Sequence, residues 1–160
     1  MSAPSQPAEA VARAVDQIAD HATAHDLTVA CAESLTAGAI ASTLARGRGA
    51  SSWFGGGVVS YMSEVKFEVL GVTPGPVITE SCAREMVDGV AELLGADLAV
   101  AVTGVGGPDD EEGEPPGTVY IGTCVGGRTE VVRRDFDGDP AEVLDETVAT
   151  AIEVLLDRLG

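Results

Sequence analysis

Asp97 to Thr103 (DLAVAVT) is apolar at consecutive positions and runs straight into Gly104-Val105-Gly106-Gly107-Pro108-Asp109. A run this short reads as a strand, and one without polar alternation reads as a strand buried on both faces. A chain that buries a strand in this way covers it with layers of helix. The composition agrees: hydrophobic residues make up 45% and aromatics only 4%, so Ala, Val, Ile and Leu build the core. We therefore expect an α/β protein, and 160 residues suffice for one domain with one core.

The remaining segments place helices and strands around that run. Val11, Val15, Ile18 and Ala22 recur at three- and four-residue steps, predicting an amphipathic helix over 8–25, with residues 1–7 expected to be flexible. Leu27 to Ala32 (LTVACA) predicts a strand, followed by Glu33-Ser34-Leu35-Thr36 and an Ala-rich helix ending near Arg46-Gly47. Gly56 to Met62 predicts a second strand ending at Tyr61. A short helix over Glu64 to Leu70 follows, with Val65, Val69 and Leu70 as its apolar edge and Lys66 off that edge. Thr79 caps a helix from Glu80 to Leu94 that Gly95 closes. Thr118 to Val125 and Glu130 to Phe136 flank Gly126-Gly127 as a hairpin, which makes the sheet mixed. Asp139 and Pro140 open a final helix reaching Leu159.

Charge narrows the partners. Against 26 acidic residues stand 9 basic ones, a net charge of −17. That field repels nucleic acid and anionic membrane, so neither is an expected partner. The acids are spread along the chain, which predicts an acidic surface on a folded domain of the kind a salt-rich cytosol favours. No apolar stretch approaches the roughly 20 residues of a membrane span, and the N-terminus has no signal-peptide pattern, so a cytoplasmic location is expected. Cys31, Cys82 and Cys124 are odd in number and set in apolar sequence, as buried free thiols are. His21 and His25, four apart, are read as helix-surface residues in preference to a metal pair, and no metal or cofactor is expected.

Three places carry chemistry. Ser34 follows a strand and precedes a helix, where its oxygen can cap the helix or attack a substrate beside backbone N–H groups; position alone does not decide. Glu33 can orient that site or serve as an acid favoured by the helix dipole. Lys66 is the only lysine, whereas eight other cations are arginine. Arginine keeps its proton at any accessible pH, whereas a desolvated lysine can act as a base. Tyr61 is either a hydrogen-bond donor to the same site or a core-edge residue. Gly104 to Asp109 offers unobstructed backbone donors for an oxyanion or phosphate, or a tight turn; its spacing fits neither a Walker loop nor a dinucleotide fingerprint. The acidic run Asp109 to Glu114 reads as a solvated loop.

Taken together, Ala32-Glu33-Ser34-Leu35-Thr36-Ala37-Gly38, Ser51-Ser52-Trp53-Phe54, Gly57-Val58-Val59-Ser60-Tyr61, Glu64-Val65-Lys66, Leu70-Gly71-Val72, Thr103 to Asp109 and Pro116-Gly117-Thr118-Val119-Tyr120 resemble the CinA C-terminal domain family in order and spacing over residues 8–158. The resemblance implies one three-layer α/β/α domain over 1–160. It implies an amidase that converts nicotinamide mononucleotide to nicotinic acid mononucleotide and ammonia without a metal or cofactor. It places Ser34 as nucleophile, Lys66 as base and Tyr61 as their assistant. Glu33, Leu35, Thr36, Gly38, Thr103, Gly104, Gly106 and Gly107 would then bind substrate, with N–H groups near Leu35 and Thr36 as oxyanion donors. The expected partner is this small mononucleotide, and the Ala-rich helix with few aromatics leaves room for a homo-oligomer.

The chain departs from the family pattern at Ala37, where a glycine is usual, at Met62-Ser63 after Tyr61, where an Asn is usual, and after Gly138-Asp139. There Pro140 to Asp145 contain no arginine, so an anionic substrate would need another cation such as Arg84, Arg133 or Arg134. The rival reading is a catalytically silent nucleotide-binding or regulatory module, and a third is an enzyme using Ser34 and Lys66 on a different amide.

Overall fold

The computed structural model describes residues 3–160. Five helices of regular length and five strands follow one another as α1 (Gln6–His25), β1 (Val29–Glu33), α2 (Ala39–Leu44), β2 (Phe54–Val59), α3 (Ser63–Leu70), α4 (Glu80–Leu94), β3 (Leu98–Gly104), β4 (Thr118–Val125), β5 (Arg128–Asp135) and α5 (Pro140–Asp157). The sheet order is β2-β1-β3-β4-β5. β1 runs parallel to both its neighbours, whereas β3, β4 and β5 pair antiparallel, so the sheet is mixed as expected.

Side-chain alternation along the strands sorts the core into two layers. Val29 and Cys31 on β1, with Leu98, Val100 and Val102 on β3, face α1, α2 and α5. Ala30, Ala32, Ala99 and Ala101 face α3 and α4. That second face is built from small residues because α4 lies close to it. A Cβ on Gly122 of β4 would stand 2.8 Å from the Ala83 carbonyl oxygen, so only glycine fits there. Strands buried on both faces explain the unbroken apolar run that the sequence showed at β3, all of whose residues are buried.

Local signals set most element ends. The Thr79 side chain accepts from Cys82 N–H and Gly95 closes α4 in the left-handed region. Asp139 and Glu142 form a reciprocal capping box on α5 with Pro140 at its start. Three expected boundaries that bear on the site or its cover differ. β2 starts at Phe54 and ends at Val59, so Ser60 and Tyr61 lie beyond it. α2 starts only at Ala39, so Ser34 sits in the turn before the helix instead of in its first turn. The first helix starts at Gln6 with Ser5 as its cap, earlier than its apolar stripe indicated; residues 1 and 2 lie outside the described residues. Among the described residues no helix is long and apolar enough to cross a membrane.

The connections place the site. From β1 the chain crosses over α2 to β2 on one side, then returns through α3 and α4 to β3 on the other. The C-terminal end of β1 is therefore a point where the winding reverses, and loops leaving it in opposite directions open a crevice there. Ser34 is the first residue after β1, and the ends of β2 and β3 flank it with Ser60-Tyr61 and Gly104 to Gly107.

Candidate active site

The crevice is a cavity of about 240 Å³ lined by Ser34, Leu35, Tyr61, Gly104, Gly106, Gly107, Glu111, Pro140 and Leu144. Behind Ser34 lies Lys66, whose side-chain nitrogen stands 2.9 Å from Ser34 Oγ and 2.6 Å from the Ser60 carbonyl oxygen. The Tyr61 carbonyl lies 3.5 Å away on the same nitrogen. Lys66 is 1% exposed. The buried face of α3 is thus Lys66 with Leu70 one turn on, not the edge of Val65, Val69 and Leu70 expected from hydropathy; Val69 is exposed. A lysine replaces an apolar residue on that face because three oxygens wait for it.

Burial pushes the Lys66 pKa down, an effect the Cys82 thiol and the carboxylates of Glu111 and Glu112 oppose. The nitrogen meets three oxygens, the Ser34 hydroxyl and the carbonyls of Ser60 and Tyr61. Once the amine is deprotonated, two N–H groups can serve the carbonyls while the lone pair faces the Ser34 hydroxyl. Ser60 is itself locked: its N–H and its hydroxyl both donate to the Glu33 carbonyl, at 2.8 and 3.0 Å.

Glu33 is fully buried and serves α2. Its Oε1 accepts from Thr36 Oγ1 at 2.6 Å and Ile40 N–H at 2.8 Å, and its Oε2 from Ala41 N–H at 2.9 Å. A carboxylate at a helix N-terminus satisfies donors that otherwise have no acceptor. Of the two readings of Glu33, the structure favours the acid at a helix start, placed at the end of a strand instead of in the first turn. Glu33 and Thr36 are thereby committed to each other behind the cavity wall. Gly38 starts α2 at φ +102° and also lies outside the lining.

Between Ser34 and α2 the turn places Ala37 at φ +50°, in the left-handed region where a side chain costs about 1–2 kcal/mol. This is the position where the family pattern has glycine. The N–H groups of Leu35 and Thr36 in the same turn take no acceptor among the described residues, and of these two residues Leu35 lines the cavity.

On the β3 side the three glycines have different reasons. A Cβ at Gly104 would collide with the Thr118 backbone, so packing against β4 requires that glycine. At Gly106 a Cβ would only touch Leu35 at 3.9 Å, so its absence keeps the cavity wide. Gly107 adopts φ +89° and precedes a cis Pro108. Thr103 is buried and points elsewhere, donating to the Val77 carbonyl at 2.7 Å.

The acidic run is held in place by its own residues. Glu111 and Glu114 exchange two backbone hydrogen bonds, at 3.1 and 2.9 Å. The Glu112 carboxylate accepts from Val77 and Ile78 N–H at 2.9–3.1 Å. Glu111, Pro140 and Leu144 are wall residues that sequence reasoning missed. Glu111 was read with its solvated neighbours, and Pro140 and Leu144 carried only a helix-start signal. No signal in the sequence marks the Ser60 carbonyl as an acceptor for Lys66.

The three arginines considered as substitutes for the absent family cations do not line the cavity. Arg84 pairs with Glu80, and Arg133 pairs with Asp135 and Glu114 while lying over the Tyr120 ring. Arg134 donates to the Arg133 carbonyl. A larger groove of about 470 Å³ lies between α1, α2 and α5, with Val11, Val15, Arg46 and Val148 among its walls, but it holds no nucleophile beside a base. Among the described residues no cluster of three or more His, Cys, Asp or Glu side chains is arranged to hold a metal.

All three cysteines are free and buried, as expected. Burial pushes the Cys82 thiol up to about 11, with the Lys66 charge pulling against it. Burial and then the Glu33 carboxylate push Cys31 up further still. Thiolate is the reacting form, so iodoacetamide at pH 8 is expected to leave Cys31 and Cys82 unmodified in the folded protein and to label both after denaturation; mass spectrometry reads the difference, and rapid native labelling would contradict it.

Comparison with known proteins bears on the family and the fold. A family model described as the CinA C-terminal domain matches residues 11–159. A competence-damage inducible protein of Bacillus pumilus is 37% identical over 140 residues, covering 84% of this chain and 34% of that protein. One from Geobacillus kaustophilus is 46% identical over 113 residues, covering 67% and 27%. The chain thus spans about a third or less of the curated relatives it matches. A crystal structure of a CinA superfamily protein from Enterobacter cloacae superposes with a TM-score of 0.91 at 28% identity, covering 94% of this chain and 92% of that one. The competence damage-inducible protein A structure from Klebsiella pneumoniae gives 0.89 at 32% identity, covering 93% and 96%. With the whole packed body matched and Ser34 and Lys66 joined at its centre, the chain belongs to the CinA C-terminal domain family.

Proposed function

We propose that this chain is an amidohydrolase that removes ammonia from the carboxamide of nicotinamide mononucleotide, leaving nicotinic acid mononucleotide. The observation that carries the reading is a buried lysine, the chain's only one, hydrogen-bonded at 2.9 Å to a serine that faces a cavity. A serine and lysine so placed are a nucleophile with its base. Neutral Lys66 takes the Ser34 proton as Oγ attacks the carboxamide carbon. The N–H groups of Leu35 and Thr36 receive the oxyanion, Lys66 returns the proton to the leaving nitrogen, and ammonia departs. Water, deprotonated by Lys66, then hydrolyses the acyl ester and restores Ser34. Tyr61 is 67% exposed and stands at the mouth, where it contacts incoming substrate. Its backbone carbonyl, rather than its phenol, reaches Lys66.

The test is release of ammonia from nicotinamide mononucleotide by purified protein in high salt, beside Ser34→Ala. Turnover in the first and none in the second supports the reading, whereas binding without turnover would replace it with a silent nucleotide-binding module.

A pH dependence follows. The base works only when neutral, and burial lowers its pKa, so kcat/KM should rise with pH through the titration of Lys66 and level off above it. A flat profile between about pH 6 and 9 would count against Lys66 as the base.

A further inference from the structure

The cavity beside Ser34 is lined by the apolar Leu35, Pro140 and Leu144 and by one carboxylate-bearing residue, the solvent-exposed Glu111. No arginine or lysine among the described residues forms part of that wall. The helix start that lines the cavity is that of α5, at Pro140, and its first turn is already occupied by the carboxylates of Asp139 and Glu142. A phosphate dianion therefore meets no side-chain cation, in a molecule of net charge −17. The Glu111 carboxylate makes no salt bridge with any described residue, and the one described cation whose titration it moves is Lys66, behind Ser34. The loop that presents it is fixed on both sides, by the Glu111–Glu114 backbone pair and by Glu112 bound to Val77 and Ile78.

Resting on the amidase reading, we infer that Glu111 is a specificity-determining residue that selects carboxamides carried on a cationic ring, a pyridinium, while the phosphate of a mononucleotide stays in solvent and adds little to recognition. The chemistry is complementary. The carboxamide reaches Ser34, the flat ring lies against Leu35 and Leu144, and its delocalised positive charge faces a carboxylate that makes no salt bridge. The acid product brings a new carboxylate into a cavity that already holds one, and like-charge repulsion favours its release.

Turnover and binding test this separately. The mononucleotide and its dephosphorylated nucleoside should be hydrolysed with kcat/KM values within about threefold of each other. Glu111→Gln should lower kcat/KM for both about tenfold, mainly through KM, as loss of uniform binding does. Glu92→Gln, which makes the same charge change at an exposed residue of α4 outside the cavity lining, should not. Against the 1,4-dihydro mononucleotide, which keeps the phosphate but whose ring is uncharged, the preference for the pyridinium form should shrink in Glu111→Gln. The dihydro amide is intrinsically less electrophilic, so only the change in ratio is read. Calorimetry on Ser34→Ala protein gives a readout independent of turnover: 1-methylpyridinium-3-carboxamide should bind about tenfold more tightly to the Ser34→Ala protein than to the same protein carrying Glu111→Gln as well. Equal binding, or a mononucleotide preferred more than about tenfold over its nucleoside, overturns the inference. Loss of the calorimetric difference sinks it even if ammonia is released, and absence of ammonia release with that difference intact sinks only the amidase reading.

Discussion

Lys66→Arg is expected to lower ammonia release by at least about a hundredfold, the lower end of what general-base catalysis contributes. The guanidinium keeps the positive charge and can still donate to the Ser60 carbonyl, so a role as a mere cation would survive the change. A role as base would not, because arginine does not give up its proton. Retention of more than about a tenth of wild-type kcat/KM would sink the assignment. Folding must be checked alongside, since the fork of an arginine is larger than the slot Lys66 fills; Lys66→Met supplies the second variant, similar in length and without a proton to exchange. Its stability has a definite sign against pH. Burial lowers the folded-state pKa of Lys66, so between that lowered value and about 10.4 the unfolded chain binds more protons than the folded one. Across that window the wild type gains stability as pH rises. Relative to wild type, Lys66→Met should therefore fare best at low pH, and its advantage should shrink as pH rises, as read from melting temperatures over a pH series.

The second large effect is on stability. Glu33→Ala should cost about 3 kcal/mol or more, because it strands the Thr36 hydroxyl and the N–H groups of Ile40 and Ala41, each within 2.9 Å of the carboxylate now. Leaving a buried donor unsatisfied costs about 1–3 kcal/mol apiece. For a domain of this size, that corresponds to a fall in Tm of about 6–12 °C. Glu33→Gln keeps one acceptor oxygen but turns an amide N–H toward one of the donors, so an intermediate loss is expected. Chemical denaturation of the three proteins measures the series, and a loss below about 1 kcal/mol for Glu33→Ala would show that the carboxylate does not hold α2. Because Ser34 follows Glu33 directly and Ser60 donates twice to the Glu33 carbonyl, the same variant should loosen the nucleophile, lowering kcat more than it raises KM.

Much of the secondary structure is written in short-range chemistry. Thr79 and Gly95 bound α4, Asp139 and Pro140 open α5, and Gly126-Gly127 turns β4 into β5, because caps and turns are decided by residues within a few positions of one another. Ser34 and Lys66 were also legible as candidates, one from its place after a strand and the other from being the only lysine. Hydropathy failed at α3. It put Val69 inside and Lys66 outside, where the structure does the reverse, since a helix eight residues long has too few turns for its pattern to outweigh a cluster of buried carbonyls. The bounds of β2 were displaced by two residues: the strand starts at Phe54, ahead of the expected Gly56, and ends at Val59 instead of Tyr61, because a glycine run leaves propensity little to place a strand start by.

The sequence by itself determined an acidic α/β domain with a buried central strand, a mixed sheet and a lone lysine that composition does not explain. Only the tertiary structure decided that β1 lies between β2 and β3, and that single fact makes the site. Strand order depends on pairings between segments tens of residues apart, which no local pattern records. Once it is set, the winding reverses at Ser34, the two residues after β2 supply the carbonyls that hold Lys66, and the loop after β3 brings Glu111 to the same cavity.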